Sequence, residues 1–199
     1  MAAKLLITID TEPDNQWDAN LRRNPAFKNI SELYRLQKLF DKFQARPTYL
    51  VTFSLVKSDS VSILKDIAKS VDCEIGTHLH AWETPPFDVP IKGDGSYLHQ
   101  YNFDIQEQKM VNIDALITKA FGSKPVSYRA GRYSFDRNTV VLLAKYGYLV
   151  DTSVTPSISW ENDGGTNFKK FSCEDYFFRR EKNARIVELF SLHLISISQ

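Results

Sequence analysis

Short apolar runs alternate along the chain with longer segments in which apolar residues recur every three or four positions. The short runs are rich in β-branched and aromatic residues and predict strands, whereas the longer segments predict amphipathic helices. The predicted strands cover residues 4–10, 47–56, 73–82, 125–133, 148–155 and 186–197. The predicted helices begin near Ser31, Ser58, Asp104 and Asp136. This alternation predicts an α/β fold with a parallel sheet, open or closed into a (β/α) barrel.

Helix signals and one long loop separate these elements. Asn29 and Glu32 have the spacing of a capping box at the start of the first helix. Gly122 and Gly147 follow the third and fourth predicted helices, where glycine commonly ends a helix. The loop from about 83 to 99 directly follows the third strand, and its length makes it a candidate substrate-binding loop.

Composition and charge are ordinary for a globular protein. At 199 residues the chain can bury one core, so we expect a single domain over residues 1–199. It has 25 basic and 24 acidic residues without a block of like charge, which argues against a nucleic-acid partner. No run approaches the roughly 18 apolar residues of a membrane span, and the start does not read as a signal peptide. With only Cys73 and Cys173 as cysteines, these features predict a cytoplasmic protein, and they leave its oligomeric state open.

Two pairs of ligand-type residues lie where predicted strands end. Asp10 and Glu12 end the first strand, and His78 and His80 end the third. Residues two apart on a strand point to the same face, so each strand delivers two side chains to one place. Carboxylate oxygens and imidazoles with room for water are typical of a catalytic divalent-metal site. An H-x-H pair alone is more often a packed or surface pair, but the matching D-x-E favours a metal site.

Four stretches taken together resemble the polysaccharide deacetylase family, also called the NodB-homology or carbohydrate esterase 4 family. They are ITIDTE at 7–12, EIGTHLHAW at 74–82, YRAGRY at 128–133 and GYLVDTS at 147–153. Their order and their strand-end positions match four of the five motifs usual in that family. The residues in these motifs are most similar to those of a divergent branch of the family, which is associated with bacterial surface-polysaccharide biosynthesis of the O-antigen type. The resemblance therefore implies a distorted (β/α) barrel of the NodB type.

The same resemblance implies a hydrolase that removes an N-acetyl group from an amino sugar of a bacterial surface polysaccharide or its precursor. Members use one divalent metal ion, which polarises the amide carbonyl and activates water, while a carboxylate takes the proton of that water. Zinc fits such a site best, with iron, cobalt, nickel and manganese as alternatives. By analogy, Asp10 is the base and the metal ligands are Glu12, His78 and His80. The D-x-E pattern leaves open which of the two carboxylates binds the metal.

Further residues are candidates for the surroundings of this centre, two of them because of the resemblance and the others because of their position beside the motifs. Arg129 corresponds to the arginine that orients the catalytic carboxylate, and Asp151 to a carboxylate that pairs with that arginine or meets the substrate. Arg132 is a candidate contact for an anionic sugar. The other candidate contacts to a carbohydrate substrate, which lie beside the metal motifs, are Asp14, Trp17 and Trp82. An ion pair at the barrel mouth is the alternative for Arg129, and a place in the core is the alternative for the tryptophans.

The C-terminal part of the chain departs from the family. A fifth motif supplies a late histidine as general acid, and the one candidate here, His193, lies in the middle of a predicted strand. A complete barrel usually needs 200 or more residues, so we expect this one to be incomplete at its C-terminus. Two alternatives therefore stay open, a hydrolase of another C–N bond on the same fold and a non-catalytic sugar-binding homologue. A glycosidase using Asp10 and Glu12 is disfavoured because it leaves both histidines of the H-x-H pair without a role.

Overall fold

The computed structural model describes residues 5–16, 18, 22 and 24–173, together with the backbone of two later strands at 176–180 and 184–188. Seven strands form one sheet with the spatial order β1-β2-β3-β4-β5-β7-β6. The strands are β1 (Thr8–Thr11), β2 (Thr48–Val51), β3 (Glu74–Leu79), β4 (Ser127–Ala130), β5 (Val150–Asp151), β6 (Tyr176–Arg180) and β7 (Ala184–Glu188). All neighbouring strands are parallel except the antiparallel pair β6 and β7. The predicted α/β class with a parallel sheet is confirmed.

Within the described residues, five α-helices connect the strands and cover the sheet. They are α1 (Leu33–Lys42), α2 (Phe53–Lys57), α3 (Val61–Ser70), α4 (Phe103–Phe121) and α5 (Arg137–Lys145). One buried apolar cluster joins the helices to the sheet, with Met110 and Ile113 of α4 in the same cluster as Tyr49 of β2 and Tyr128 of β4. The Asp136 side chain accepts a hydrogen bond from the Thr139 backbone N–H and so caps α5, as its position before the predicted helix suggested.

The sheet curls so strongly that β1 and β4 meet across its concave face. Strands spaced by about 4.8 Å would put β1 and β4 roughly 14 Å apart in a flat sheet, because they are three positions apart in the order. However, Nη1 of Arg129 on β4 donates to Oδ1 of Asp10 on β1 at 2.5 Å, and its Nη2 donates to Oγ1 of Thr8 at 2.7 Å. The described strands therefore wrap around a polar interior as part of a distorted barrel. No ladder joins β1 to β6 within these strands.

Some predicted strands are shorter in the structure. The second predicted strand, 47–56, ends at Val51, and the chain turns into α2 after Thr52. Leu55 and Val56 of this helix are buried in the core, and a short buried helix has the same continuous apolar sequence as a buried strand. The predicted strand 186–197 overlaps β7 at 186–188, and the rest of it lies outside the described residues. The sequence did not predict β6.

The predicted capping box at Asn29 and Glu32 is wrong. Neither side chain caps the first turn, and residues 29–32 form a 3-10 turn that runs into α1. Asp14 caps this turn instead, although it lies 14 residues earlier in the chain. Its Oδ2 accepts from the Lys28 backbone N–H at 2.8 Å and its Oδ1 from the Asn29 backbone N–H at 3.0 Å. The Asn29 side chain instead donates to the Glu12 carbonyl at 2.9 Å, which ties the start of α1 to the end of β1.

Candidate metal centre and active-site cleft

The carboxyl ends of β1, β3 and β4 form one cleft. Its lining residues are Asp10, Glu12, Gln16, His78, His80, Trp82, Ala130, Arg132 and Tyr133. In parallel strands the side chains that follow the carboxyl ends meet at one edge of the sheet, which is the usual place for ligands in folds of this kind. The structure therefore brings together both pairs of ligand-type residues that the sequence identified.

Three ligand atoms converge at the floor of the cleft. Nε2 of His78 and Nε2 of His80 lie 2.9 Å apart, and Oε2 of Glu12 lies 3.4 Å from the first and 3.1 Å from the second. Both imidazoles are buried, whereas the Glu12 side chain is 23% exposed. We refer to Glu12, His78 and His80 as the ligand triad. Within the described part of the chain, it is the one group whose carboxylate and imidazole atoms are close enough together to share a metal ion.

The donor set of the ligand triad fits a divalent cation. Nδ1 of His78 lies 3.1 Å from the carbonyl oxygen of Arg129, so the single N–H of a neutral imidazole donates to this oxygen. The lone pair of Nε2 then faces the Glu12 carboxylate and the other imidazole. Ligands about 2.0–2.1 Å from a tetrahedral zinc ion lie roughly 3.3 Å apart, close to the observed separations. Without a cation, a proton has to occupy the space between these acceptor atoms.

Electrostatics at the triad favour an ionised carboxylate. Burial by itself raises the pKa of Glu12, but hydrogen bonds and charge from His78 and His80 outweigh burial and hold that pKa well below its usual range. Burial likewise lowers the pKa of His78, and Asp10 and Glu12 reverse this effect and raise it overall. The carboxylates and imidazoles thus stabilise each other's charged forms, and a cation bound there would replace the protons.

Asp10 is held beside the triad by Arg129. Its Oδ1 accepts from Nη1 of Arg129 at 2.5 Å, while its Oδ2 lies 4.0 Å from Nε2 of His78. Arg129 is buried, and its Nε donates to Oγ1 of Thr152 at 3.0 Å, so the guanidinium is itself fixed on two sides. This arrangement matches the role that the resemblance implies for Arg129. The other carboxylate oxygen of Asp10, Oδ2, lies on the side of the triad.

His80 is packed from two sides. A Cβ built on Gly131 would lie 2.3 Å from Cδ2 of His80 and 2.9 Å from the Leu79 carbonyl oxygen, so the chain passes too close for any other residue. The Glu83 side chain is buried behind the ring, with Oε1 at 3.8 Å from Nδ1 of His80 and Oε2 accepting from Oγ of Ser54 at 2.5 Å. These contacts orient the imidazole toward the triad.

The residues after β4 have an unusual backbone. Arg132 has φ 54° and ψ 24°, and Tyr133 also has φ 54°, which places two consecutive non-glycine residues in the left-handed region. Each such residue costs on the order of 1–3 kcal/mol and is commonly found where function requires it. Here the conformation directs both side chains into the cleft lining. Burial raises the pKa of Tyr133 to about 12, with Asp10 adding to the effect, so its hydroxyl stays protonated at neutral pH.

The predicted sugar contacts are not all in the cleft. Trp82 and Arg132 line it, and the Trp82 ring centroid lies 4.2 Å from that of His80. Asp14 lies outside the lining and caps the first turn of the α1 region, as described above. Trp17 and His193 lie outside the described residues.

The position of Asp151 does not fit the predicted pairing with Arg129. Asp151 is opposite Tyr128 in the register of β4 and β5, and Tyr128 belongs to the apolar core. Neighbours along a strand point to opposite faces, so Asp151 lies on the face away from Arg129. Its Oδ1 accepts from the backbone N–H and Oγ of Ser153 at 2.9 and 2.5 Å. Arg129 instead contacts Thr152, one residue later.

Sequence reasoning did not assign three of the cleft-lining residues to the site, Gln16, Ala130 and Tyr133. Tyr133 stands at the end of the YRAGRY stretch, and that position next to Arg132 was the available signal. Gln16 lies in a loop after β1 with no pattern around it. Its Oε1 accepts from Nε1 of Trp82 at 3.2 Å, a contact between residues far apart in the chain.

Comparison with solved structures finds the same fold in carbohydrate deacetylases. No protein-family model and no curated protein matches the sequence. A provisionally assigned polysaccharide deacetylase from Mycobacterium smegmatis matches with a TM-score of 0.66 and 18% identity, over 93% of this chain and 57% of that one. The deacetylase domain of BpsB from Bordetella bronchiseptica matches with a TM-score of 0.50 and 15% identity, over 76% of this chain and 64% of that one.

A third match is the Xyl-CE4 domain of a multidomain xylanase from the hindgut metagenome of Trinervitermes trinervoides. It has a TM-score of 0.50 and 11% identity, over 79% of this chain and 61% of that domain. The chain thus has the fold of the polysaccharide deacetylases of carbohydrate esterase family 4, and it spans less than two thirds of the length of these three structures. The predicted NodB-type fold is confirmed. Among the described residues, no helix combines the length and the apolar character that crossing a bilayer requires.

Proposed function

We propose that the protein is a metal-dependent hydrolase that removes the N-acetyl group from an amino sugar of a bacterial surface polysaccharide or its precursor. The observation that carries the proposal is the convergence of the ligand triad beside an aspartate that is held by a buried arginine. The deacetylase fold supports the same reaction class. Zinc is the proposed ion because the donor set mixes imidazole and carboxylate, with iron, cobalt, nickel and manganese as alternatives.

In this proposal Glu12, His78 and His80 hold the metal ion. Glu12 is assigned as the ligand rather than Asp10, since its Oε2 is within 3.4 Å of both Nε2 atoms, whereas Asp10 Oδ2 is 4.0 Å from the nearer one. When bound, the cation polarises the amide carbonyl and makes water more acidic.

Asp10 is assigned as the general base. The contact with Arg129 orients its carboxylate, and its second oxygen lies at the edge of the triad, where a water molecule would attack the carbonyl carbon. Asp10 takes one proton from that water as the new C–O bond forms. The C–N bond then breaks, and among the described residues we assign protonated Asp10 as the group that returns this proton to the leaving amine. The products are acetic acid and the free amine, which become acetate and the ammonium form of the amino sugar when the acid's proton passes to the amine, so one water molecule is consumed per amide bond.

The first experiment measures metal content by elemental mass spectrometry on the purified chain and on a His78→Ala/His80→Ala variant. We expect about one metal ion per wild-type chain and its loss in the double variant. His99→Asn is the matched control, because His99 contacts Ser134 and Gly164 instead of the triad and should retain the metal. A folded wild-type protein that binds no zinc, cobalt, nickel, iron or manganese would contradict the proposal.

Acetate release from a panel of N-acetylated sugars then tests the reaction. Release by the metal-loaded chain that stops in the double variant supports the deacetylase. Metal binding with release of a different acyl group or ureide would indicate a hydrolase of another C–N bond. Sugar binding without any turnover would indicate the non-catalytic homologue.

A further inference from the structure

One wall of the cleft presents hydrogen-bond donors and positive charge to the interior. This wall is made by Gln16, Arg22 and Arg132, which we call the donor wall. Gln16 and Arg132 line the cleft directly, and Arg22 lies over Trp82, which lines it as well. A ligand that binds the donor wall would therefore carry several hydrogen-bond acceptor atoms.

Arg132 is held in place by neutral groups. Its Nη1 donates to Oγ of Ser96 at 3.1 Å and its Nη2 to the hydroxyl of Tyr97 at 2.9 Å, while the guanidinium carbon lies 4.3 Å from the centre of the Tyr97 ring. No carboxylate of the described chain lies within 4.0 Å of it, since the nearby Asp94 directs Oδ1 to the backbone N–H and Oγ of Ser96. The cation is therefore fixed in position without a direct ion pair, on the strained backbone described above.

Gln16 supplies an independent observation. Gln16 is 3% exposed, and its Oε1 accepts from the Trp82 indole, which directs the amide nitrogen the other way. Nε2 of Gln16 has no hydrogen-bond partner among the described residues. A buried amide donor without an acceptor is unfavourable unless a ligand or water supplies one.

Arg22 adds a second positive charge to this side. Its Nε donates to the Gln16 carbonyl at 2.6 Å, and its guanidinium carbon lies 4.6 Å from the centre of the Trp82 ring. Burial lowers the pKa of Arg22 and the positive charge of Arg132 lowers it further, while the Asp94 carboxylate partly offsets these effects. A negatively charged group between the two arginines would relieve their repulsion.

We propose that the cleft selects an N-acylated sugar bearing an oxyanion, a carboxylate or a phosphate, which accepts from Arg132 and from Nε2 of Gln16. The inference rests on the proposed function for the sugar and its acyl group, and it adds the acidic substituent. Guanidinium groups bind such oxyanions with charge-assisted hydrogen bonds. The hydrogen bonds of the Arg132 Nη atoms described above go to hydroxyl groups, so Asp94 offsets this charge only from a distance.

The first test measures binding to the metal-free protein, so that the acidic group cannot bind through the metal. The probes are N-acetylglucosamine, N-acetylmuramic acid with its carboxylate, and N-acetylglucosamine 1-phosphate, followed by tryptophan fluorescence and calorimetry. We expect at least one acidic probe to bind about tenfold or more tightly than the neutral sugar, a preference that decreases with added salt. The carboxylate and phosphate arms distinguish the two oxyanions.

The variants Arg132→Gln and Arg132→Lys link this preference to the arginine. Arg132→Gln should bring the acidic-to-neutral affinity ratio close to one, and Arg132→Lys should restore part of it. Arg137→Gln, at an exposed arginine of α5, is the matched control and should keep the wild-type ratio. Circular dichroism and thermal unfolding confirm that each variant is folded.

Equal binding of neutral and acidic probes by the wild type would overturn this inference, and so would a preference that survives Arg132→Gln in the folded variant. Neither result bears on the deacetylase reaction. Conversely, preferential binding of acidic probes together with no release of acetate by the metal-loaded protein would contradict the proposed function and leave the oxyanion site supported. Kinetics on an accepted substrate should show the Arg132→Gln effect mainly in KM for the acidic probe.

Discussion

Two buried polar clusters border the segment that follows β3, and they differ in how far the protein satisfies them. In the first, Nζ of Lys109 donates to the carbonyl oxygens of Ala81, Thr84 and Pro86 at 2.9, 2.6 and 2.8 Å. In the second, the acceptor atoms of the ligand triad face one another at 2.9–3.4 Å. The lysine cluster is complete in the protein itself, whereas the triad needs protons or a cation.

This difference separates a structural cluster from a binding site. Lys109 is 1% exposed and also lies 4.6 Å from the centre of the Tyr101 ring, so its charge is compensated by carbonyl dipoles and an aromatic face. Burial lowers its pKa to about 8. It braces the loop that begins directly after His80. The triad indicates a binding site because its acceptor atoms face one another and need protons or a cation. Burial alone does not indicate a site, since Lys109 is buried as well and its hydrogen bonds are satisfied.

The largest expected effect concerns Asp10, the group that we assign to proton transfer. Asp10→Asn keeps the shape and removes the base, so we expect turnover of an accepted substrate to fall about 10²–10⁴-fold while the metal stays bound. Steady-state kinetics and metal analysis of the same sample test this expectation. Asp59→Asn, an exposed aspartate before α3, is the matched control. Loss of the metal in Asp10→Asn would show that Asp10 is a ligand, contrary to our assignment.

The next effect tests the completeness of the lysine cluster. Lys109→Met keeps the length of the side chain but leaves three buried carbonyl groups without their donor, so the free energy of unfolding should decrease by about 3–5 kcal/mol. Urea unfolding at neutral pH measures the change. Lys119→Met, at an exposed lysine of the same helix, should change it much less. Equal midpoints for the two variants would mean that the cluster contributes little to stability.

The smallest effect concerns Asp114 of α4, a buried carboxylate whose charge is compensated less fully than that of Lys109. Its Oδ1 accepts from the Tyr148 hydroxyl, and Nζ of Lys124 lies 3.8 Å from Oδ2. Burial raises the pKa of Asp114 from 3.8 to about 6, because these partners compensate the charge incompletely. Since the folded state takes up this proton before the unfolded state does, stability decreases as the pH rises from about 4 to about 6 and stays lower above that range.

Asp114→Asn should remove this dependence. We expect the variant to be more stable than the wild type at pH 7 by about 3 kcal/mol, with most of the difference lost near pH 4. Denaturant unfolding of both proteins across pH 4–8 measures it. Parallel curves for the two proteins over that range would show that Asp114 titrates normally in the folded chain.

The sequence predicted the alternation of strands and helices and the side chains at the strand ends because both depend on local patterns. Alternating strand and helix segments, and the period of two along each strand, suffice to bring Asp10 and Glu12 to one face and His78 and His80 to one face. Asp14 and Asp151 show where such patterns fail. Both are aspartates beside site motifs, but one caps a turn 14 residues later and the other points to the opposite face of the sheet.

By itself, the sequence therefore determined the α/β class, the family resemblance and the two pairs of ligand-type residues. The tertiary structure decided that Arg129 of β4 reaches Asp10 of β1, that Gln16 and Tyr133 join the cleft, and that α2 replaces the end of a predicted strand. These features depend on the curvature of the sheet and on contacts between residues far apart in the chain. A local pattern of apolar and polar residues specifies the face of an element, but the packing of all elements sets which faces meet.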